Sequence, residues 1–439
     1  MKRLVDDDLR KWAQNPSRKP LLIRGARQVG KSYSVTHLAN SFFENFIEIN
    51  FEERKDLHKI FEADLRVDRI VQELEFAFNK EIIPGKTLIF FDEIQKCPNA
   101  LMSLRYFAEK KSDLHLVATG SLLEFILDEV SFPVGRIELL HMYPMTFAEF
   151  LLAIGEEKLA HLIQEGPKEL APSVHDKLMS LLKKYFFIGG MPAVVKCYME
   201  NHAPAKAYKI QNEIVQTLQM DFAHYRPKVD ERALEIAYKN LAKKVGQRIK
   251  YSEISDEFSP PTLKKAITLL AKAKLIHYVW HVRQAELPLA LVINDRRFKI
   301  IMSDVGLFRA LCQGSSEVEY VKDDLLDLFR GAMAEQYIGQ EFKAARANFS
   351  ELYFWEREEK SAQAEVDYIV DFSNKIYPVE VKSGPSGHLK SLHQYLNHYS
   401  NTPQGVVFYM GPMKREEKIL RLPLYFAACF FSGKEFPLN

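Results

Sequence analysis

The stretch Leu21-Leu-Ile-Arg-Gly25-Ala-Arg-Gln-Val-Gly30-Lys31-Ser32 decides the fold of the first part of the chain. The apolar run that follows Pro20 is typical of a buried parallel strand. The segment after it matches the pattern GxxxxGK[S/T], in which glycines let the backbone curl so that its N–H groups face a phosphate. A helix that begins at Ser32 would add its partial positive charge at the same place. The sequence therefore predicts a strand, a phosphate-binding loop and a helix.

The residue types in this loop predict chemical roles. Lys31 is expected to reach the terminal phosphates of a nucleotide, and the Ser32 hydroxyl is expected to ligate Mg²⁺. We expect the whole loop to contact the nucleotide: Gly25, Ala26, Arg27, Gln28, Val29, Gly30, Lys31 and Ser32. A chance match in another strand–loop–helix protein is the alternative, and the flanking strand and helix patterns weigh against it.

A second apolar strand carries an acidic pair. The run Thr87-Leu-Ile-Phe-Phe91 is nearly all apolar and is followed by Asp92 and Glu93. Two carboxylates at the end of a buried strand cost folding free energy, because charge is removed from water. Their presence in spite of this cost indicates a function. Asp92 is expected to hold the metal through water, and Glu93 is expected to polarise the water that attacks the nucleotide. A salt-bridged strand end is the alternative.

The pattern along the chain changes several times. Strands alternate with helices up to about Phe147, which predicts βαβ units and a parallel sheet. A mostly helical stretch follows, then a pattern from Glu231 to Val282 that fits a winged helix, and finally an α/β unit opened by a long helix from about Asp324. We predict four domains. They are a P-loop α/β domain over residues 1–155, a helical lid over 156–230, a winged helix with connector over 231–322, and a C-terminal α/β domain over 323–439.

Composition bounds the class of protein. The 439 residues are 47% hydrophobic and 27% charged, which is the balance of a globular protein of several domains. The formal net charge of +2 predicts no strong global attraction to nucleic acid, although local basic patches remain open. The four cysteines lie far apart, which argues against a zinc motif or a disulfide framework. The charged N-terminus lacks the apolar region of a signal peptide, and we expect a cytoplasmic protein.

The loop and the acidic pair resemble the AAA+ family. The first third of the chain is similar to its bacterial and archaeal branch, in which the loop contains Arg-Gln-Val-Gly-Lys. The resemblance implies an ATPase that uses ATP and Mg²⁺. It also implies a polar sensor after the strand that follows Asp92, for which Thr119 and Ser121 are the candidates. An ordinary helix N-cap at Ser121 is the alternative.

The same family carries Gly-Arg ahead of a Pro-x-[ST]-Phe-x-Glu-Phe block. Here Gly135-Arg136 precedes Pro144-Met-Thr-Phe-Ala-Glu-Phe150. The resemblance implies that Arg136 senses the γ-phosphate or acts as an arginine finger across the subunit interface of a homo-oligomer. A surface salt bridge is the alternative for Arg136.

The rest of the chain resembles a companion domain of unknown function found in the same ATPases. The matching segments are Gly189-Gly-Met-Pro192, the winged-helix stretch and Ile300-Ile-Met-Ser-Asp304-Val-Gly306-Leu. A winged helix places one helix in the major groove of double-stranded DNA, and the candidate here runs from Pro261 to Lys274. The first three of its four lysines would contact DNA phosphates. The four lysines are Lys264, Lys265, Lys272 and Lys274. A solvated face in a winged helix that binds a protein partner is the alternative.

The last unit resembles PD-(D/E)xK nucleases. Its runs Glu365-Val-Asp367-Tyr-Ile-Val and Tyr377-Pro-Val-Glu380-Val-Lys382 predict two strands joined near Ser373. This turn would fold Asp367 back opposite Glu380. The resemblance implies a restriction-endonuclease-like α/β fold.

A metal site is expected between these strands and the preceding helix. Glu335 would complete a carboxylate cluster for Mg²⁺ or Mn²⁺ with Asp367 and Glu380, and Lys382 would stand beside it. The nuclease pattern Gln-x-x-x-Tyr is altered, because Gln394 is followed at that spacing by a histidine. A structural ion-pair network in a fold that no longer cuts is the alternative.

The lead hypothesis for function is an ATP-hydrolysing switch or motor that acts on DNA or on a protein partner. One alternative is a metal-dependent nuclease whose ATPase gates access, and another is a nucleotide-binding scaffold that does not hydrolyse. Mg²⁺-dependent strand cutting would identify the first alternative. The lack of a guanine-reading Asn-Lys-x-Asp motif favours ATP over GTP.

The loop and the acidic pair generate a prediction about hydrolysis. Lys31→Ala should abolish nucleotide binding, because the terminal phosphates lose their main countercharge. Glu93→Gln should bind nucleotide but stop turnover, because the water loses its polarising carboxylate. Nucleotide affinity and phosphate release measured on both variants test these roles. Unchanged phosphate release by Glu93→Gln would contradict the role of Glu93.

Overall fold

The chain divides after Tyr143 into two units, Met1–Tyr143 and Pro144–Asn439, each with its own hydrophobic clusters. The computed structural model describes residues 1–121, 123, 135–225, 229–312, 325–345, 351–357, 364–384 and 389–428. The domain boundary expected at 322/323 lies outside these residues. The boundaries expected at 155/156 and 230/231 stay predictions.

The first unit is built on a five-stranded sheet. Its strands are β1 (Leu21–Arg24), β2 (Asn45–Asn50), β3 (Thr87–Asp92), β4 (His115–Gly120) and β5 (Glu138–His141). They lie in the order β2-β3-β4-β1-β5, and every neighbouring pair is parallel. The parallel sheet expected from the alternation of strands and helices is therefore confirmed.

Alternate residues of the central strands enter two separate cores. Leu88 and Phe90 belong to one cluster of buried residues, while Ile89 and Phe91 belong to the other. A strand buried on both faces reads as a continuous apolar run, which is why these strands were visible in the sequence. The described helices of this unit are α1 (Val5–Gln14), α2 (Lys31–Phe42), α3 (Lys59–Glu62), α4 (Val67–Phe78) and α5 (Pro98–Lys110).

The second unit begins with helices. The described helices are α6 (Phe147–Ala153), α7 (Glu157–Gln164), α8 (Pro172–Ile188), α9 (Pro192–Asn201), α10 (Pro204–Met220), α11 (Glu231–Ala242), α12 (Pro260–Lys272), α13 (Val305–Cys312), α14 (Leu325–Ala345) and α15 (Lys390–His398). Four of them start at a proline, whose fixed φ suits the first helical position. None of the described helices is long and apolar enough to cross a membrane by itself. Helices α8 and α9, which meet at a bend of 118°, reach that length and composition only when they are taken together.

An eight-stranded sheet forms the other layer of the second unit. Its strands are β6 (Ile276–Val282), β7 (Ile293–Met302), β8 (Leu352–Glu356), β9 (Glu365–Phe372), β10 (Lys375–Val381), β11 (Gly405–Tyr409), β12 (Lys414–Glu416) and β13 (Ile419–Pro423). They lie in the order β12-β13-β11-β10-β9-β8-β6-β7. Strand β6, which the sequence pattern assigned to the winged helix, forms a hairpin with β7, which lies in the expected connector. This hairpin joins the sheet because β6 pairs in parallel with β8.

Helices α14 and α15 pack on opposite faces of this sheet. Phe342 of α14 lies 5.8 Å, centroid to centroid, from Phe408 of β11. The adjacent residue Val407 packs in a cluster with Leu392 of α15. Because neighbouring residues of a strand point to opposite faces, the two helices cover different sides.

A buried carboxylate joins the Gly189-Gly190 turn to the start of α13. Asp304 is fully buried and accepts hydrogen bonds from the N–H groups of Gly190, at 2.6 Å, and Leu307, at 2.9 Å. Burial raises the pKa of Asp304 to about 6 despite these bonds. Gly189 has a φ of +75°, and a Cβ there would lie 2.4 Å from Asp304 Oδ1, so the turn requires glycine. The Gly-Gly segment therefore has a structural role.

Gly190 generates a prediction about stability. A Cβ at this position would lie 2.1 Å from the carbonyl oxygen of Met145, so the backbone would have to move. Gly190→Ala should lower the free energy of unfolding by about 1–3 kcal/mol, the usual cost of overpacking. Gly331→Ala in α14 is the matched control, because a Cβ there meets no atom of the described residues within 4 Å. It should gain up to ~1 kcal/mol from helix propensity. Equal urea midpoints for the two variants would contradict the steric explanation.

Candidate functional site

Two glycines shape the loop between β1 and α2. Gly30 precedes α2 with a φ of +94°, a left-handed conformation that residues with a side chain rarely adopt. A Cβ on Gly25 would lie 2.2 Å from the carbonyl oxygen of Met142. The loop therefore turns sharply at the carboxyl end of β1 only because both positions lack a side chain.

Lys31 lies against this loop. Its side chain is buried, and Nζ donates hydrogen bonds to the carbonyl oxygens of Gly25 at 3.0 Å and Ala26 at 2.8 Å. Ala26 and Val29 pack in the core, whereas Gln28 is exposed. The ammonium is thus held where a phosphate bound by the loop would meet it.

Asp92 accepts hydrogen bonds from two hydroxyl groups at the carboxyl edge of the sheet. Ser32 Oγ donates to Asp92 Oδ2 at 2.9 Å, and Thr119 Oγ1 donates to Asp92 Oδ1. These residues come from α2, β3 and β4, which are distant in sequence. Mg²⁺ takes hydroxyl, carboxylate and water oxygens, so Ser32 and Asp92 fit the metal-binding role expected of them.

Glu93 is fixed beside Asp92. Its φ is +48°, which is a sterically costly conformation for a residue with a side chain, and its N–H donates to Asp92 Oδ1 at 3.0 Å. Gln95 Nε2 and Ser121 Oγ, the latter at 3.3 Å, both donate to Glu93 Oε2. Each sensor candidate, Thr119 or Ser121, therefore touches one carboxylate of the acidic pair. The contact from Gln95 had no signal in the sequence beyond its position after that pair.

Arg136 lies at the other end of the sheet. It precedes β5, whose Glu138 pairs with Leu21 at the amino end of β1. Its Nε lies 3.1 Å from Glu109 Oε1 on α5. The phosphate-binding loop follows the carboxyl end of β1, so the structure does not bring Arg136 to the loop of its own chain. The arginine finger across a subunit interface stays a prediction.

Arg3 contacts the loop, and the sequence interpretation missed it. Its guanidinium donates hydrogen bonds to the carbonyl oxygens of Val29, at 2.8 Å, and Tyr143, at 2.9 Å. Its backbone N–H donates to Asp6 Oδ2 at 2.9 Å. One buried side chain therefore joins the phosphate-binding loop to the last residue of the first unit. A single arginine without a surrounding motif gives no sequence signal for such a contact.

In the second unit, a buried ammonium lies among the carboxylates expected to bind metal. The Lys299 side chain on β7 is 1% exposed, and its Nζ lies 3.0 Å from Glu335 Oε1 and 2.5 Å from Glu365 Oε1. Asp367 Oδ1 is 3.8 Å away. Burial by itself would lower the pKa of Lys299, but the three carboxylates hold it well above its usual range. The sequence interpretation did not identify Lys299.

Glu380 and Lys382 lie beside this cluster. The register of β9 and β10 pairs Tyr368 with Val379, which places Asp367 opposite Glu380. Lys382 Nζ lies 2.6 Å from Glu380 Oε1. Burial and, secondarily, the Asp367 carboxylate raise the pKa of Glu380. Glu380 Oε2 is buried, with no hydrogen-bond partner among the described residues.

The carboxylates expected to bind metal therefore form an ion-pair network. No group of three His, Cys, Asp or Glu side chains in the described ranges is arranged to hold a metal ion. The physical reason is that Lys299 pairs with Glu335 and Asp367, while Lys382 pairs with Glu380. This arrangement favours the structural ion-pair alternative over a metal centre.

The lysines expected to meet DNA lie on and just after α12. Lys264 and Lys265 are exposed, and Lys272 and Lys274 are half-buried. The Ser259 hydroxyl accepts a hydrogen bond from the Thr262 N–H at 3.4 Å and caps the helix. The exposed pair therefore stands on the first two turns of a capped helix.

The first unit has the fold and the loop of a P-loop nucleotide-binding domain. Residues 17–151 match a family described as AAA domain, so this part of the chain is an AAA-type P-loop domain. Residues 179–318 and 330–425 match two families, each described as a domain of unknown function (DUF8612 and DUF4143). No curated protein matches the chain.

Several solved structures resemble the chain at low identity. A Walker-type ATPase of Pyrococcus abyssi is 18% identical over 70% of this chain and 94% of its own, with a TM-score of 0.44. A signal transduction ATPase with a tetratricopeptide repeat sensor from Pyrococcus horikoshii is 14% identical over 76% of this chain and 45% of its own, with a TM-score of 0.26. The RuvB Holliday junction branch migration motor of Thermotoga maritima is 16% identical over 62% of this chain and 87% of its own, with a TM-score of 0.28. Similarity at this level says nothing about function.

Arg3 generates a prediction about nucleotide affinity. Arg3→Ala should weaken nucleotide binding on the order of tenfold, because the loop loses a charged hydrogen bond at Val29. Lys2→Ala removes a neighbouring exposed cation and should bind as the parent protein does. Nucleotide titrations of both variants measure the effect. An Arg3→Ala protein that is less stable but binds nucleotide normally would contradict the positioning role.

Proposed function

We propose that the chain binds and hydrolyses ATP with Mg²⁺ and uses this cycle as a switch or motor on DNA or on a protein partner. One observation carries the proposal. Asp92 accepts hydrogen bonds from the hydroxyls of Ser32 and Thr119, and also from the backbone N–H of Glu93, which lies beside it. In P-loop nucleotide hydrolases a hydroxyl and a carboxylate hold the metal and a further polar residue orients the attacking water, and these three groups are present here in Ser32, Asp92 and Glu93. The match of residues 17–151 to AAA domains supports the same proposal.

Each group has a distinct task in this proposal. Lys31 neutralises charge on the terminal phosphates, and the loop backbone binds them. Ser32 and Asp92 hold Mg²⁺, which supplies charge stabilisation when bound. Glu93 orients and polarises the attacking water. Its contact with Ser121 would link the state of the phosphate to the segment that follows β4.

The partner is proposed from the second unit. Lys264 and Lys265 are exposed neighbours on α12, where they could contact two phosphates of a duplex. The formal net charge of +2 gives the chain little general attraction to nucleic acid, so binding would depend on such a local patch. A protein partner on the same helix face is the alternative.

A metal-dependent nuclease is the second candidate function. The opposition of Asp367 and Glu380, and the buried Glu380 Oε2 without a described partner, favour it. The Lys299 ammonium weighs against the nuclease, because it neutralises part of the negative charge that would attract a cation. We therefore rank the nuclease below the ATP-driven switch or motor.

The proposal predicts Mg²⁺-dependent phosphate release from ATP by the full chain. If α12 binds duplex DNA, the double variant Lys264→Gln/Lys265→Gln should bind duplex more weakly and lower the log–log salt slope by up to ~2, because about one counterion is released per phosphate contact. Phosphate release without DNA should not change. The pair Lys183→Gln/Lys184→Gln on α8 removes the same charge elsewhere and is the matched control.

The outcomes separate the alternatives. Absence of phosphate release would favour the non-hydrolysing scaffold. Phosphate release without duplex binding at low salt would favour a protein partner. Cutting of DNA in Mn²⁺ by the parent protein but not by Lys382→Ala would favour the nuclease, whereas equal cutting by both would indicate contamination.

A further inference from the structure

A cavity of about 440 Å³ lies on the α15 side of the second sheet, opposite α14 and the carboxylate cluster. Its volume is in the range of pockets that bind small ligands. Gln394, Asn397 and His398 of α15 line it, and their spacing puts them on one helix face. Trp355 at the end of β8 and Tyr399 after α15 also line it. The cavity is therefore separate from the sites described above.

Aromatic rings form one wall of the cavity. Trp355 is 4% exposed and packs edge-on against Tyr399, with ring centroids 6.1 Å apart. The His398 ring lies 4.6 Å from the Tyr399 ring at an interplanar angle of 87°. Tyr399 is half-buried and donates a hydrogen bond to the carbonyl oxygen of Arg283 at 3.4 Å. A ring fixed by its neighbours in this way offers a stacking surface to a planar ligand.

The charges around the cavity favour an anion. Glu356 is a lining carboxylate, but it is already paired with Arg248 Nη1 at 2.8 Å and 3.1 Å. Arg297 lies 3.7 Å from the same carboxylate. Arg283 and Arg357 also line the cavity, so the four arginines at or beside it outnumber the two nearby carboxylates, Glu356 and the Glu286 carboxylate close to Tyr399. Guanidinium groups match the geometry of phosphate oxygens.

We propose that this cavity binds one nucleotide unit, with its phosphate at Arg283 and its base against the Tyr399 ring. The amide groups of Gln394 and Asn397 supply donors and acceptors for the edge of the base. A free nucleotide and the end of a single-stranded nucleic acid share this chemistry. The site lies in the second unit and works without the phosphate-binding loop of the first.

Binding is tested with the full chain carrying Lys31→Ala, so that nucleotide binding at the phosphate-binding loop does not contribute. The probe is 5′-phosphorylated hexathymidine labelled with fluorescein at its 3′ end, followed by fluorescence anisotropy at low salt. Displacement by thymidine 5′-monophosphate would identify a free nucleotide as ligand. Displacement only by unlabelled hexathymidine would identify a strand end. Both results support the site, and failure of the ATPase proposal would not affect them.

Variants in the same background decide where the probe binds. Arg283→Gln should weaken binding on the order of tenfold, because a charged hydrogen bond to phosphate is lost. Lys390→Gln, at the start of α15 but outside the cavity lining, removes the same charge and should bind normally. Tyr399→Phe should keep the stacking surface, whereas Tyr399→Leu should lose affinity several-fold. Equal affinity of Arg283→Gln and Lys390→Gln, or no probe binding by the Lys31→Ala protein, would overturn the proposal.

Discussion

The candidate ATP site depends on one geometric constraint, which is that parallel strands end at the same edge of their sheet. The phosphate-binding loop follows β1, the acidic pair follows β3, and the sensor candidates follow β4. Because β4 lies between β1 and β3, all three carboxyl ends meet. The hydrogen bonds of Ser32 and Thr119 to Asp92 are the direct result. The same constraint puts Arg136 out of reach, since it precedes its strand.

The second unit depends on buried polar groups that are paired. Helix α14 supplies three of them. Gln336 bonds both backbone groups of Met302, Gln340 accepts from the Val305 N–H and donates to the Tyr185 hydroxyl, and Glu341 accepts from the Phe147 N–H at 3.0 Å. Burial raises the pKa of Glu341 to about 8. A helix end or turn buried without such partners would be destabilised by its unpaired backbone groups. These side chains therefore fix α14 to α6, α8, α13 and the β7 strand.

Helix α14 also connects two distant parts of the second unit. Glu335 and Glu341 both lie on this helix, and they contact Lys299 of β7 and the start of α6 respectively. A displacement of α6 would therefore act on the helix that carries Glu335.

The sequence by itself determined the features that have a local cause. The loop needs glycines, a lysine and a serine at fixed spacing, so it is visible in the sequence as a motif, and Gly25 to Ser32 could be predicted from it. Strands that are buried on both faces are visible as apolar runs, which is why the parallel sheet and the position of Asp92 could be predicted. Tertiary structure alone decided the contacts between residues far apart in the chain. Arg3 reaches Val29, Lys299 reaches Glu335, and the β6–β7 hairpin joins the C-terminal sheet. Such contacts depend on how distant elements pack, and a lone arginine or lysine carries no periodicity or spacing that records its partner.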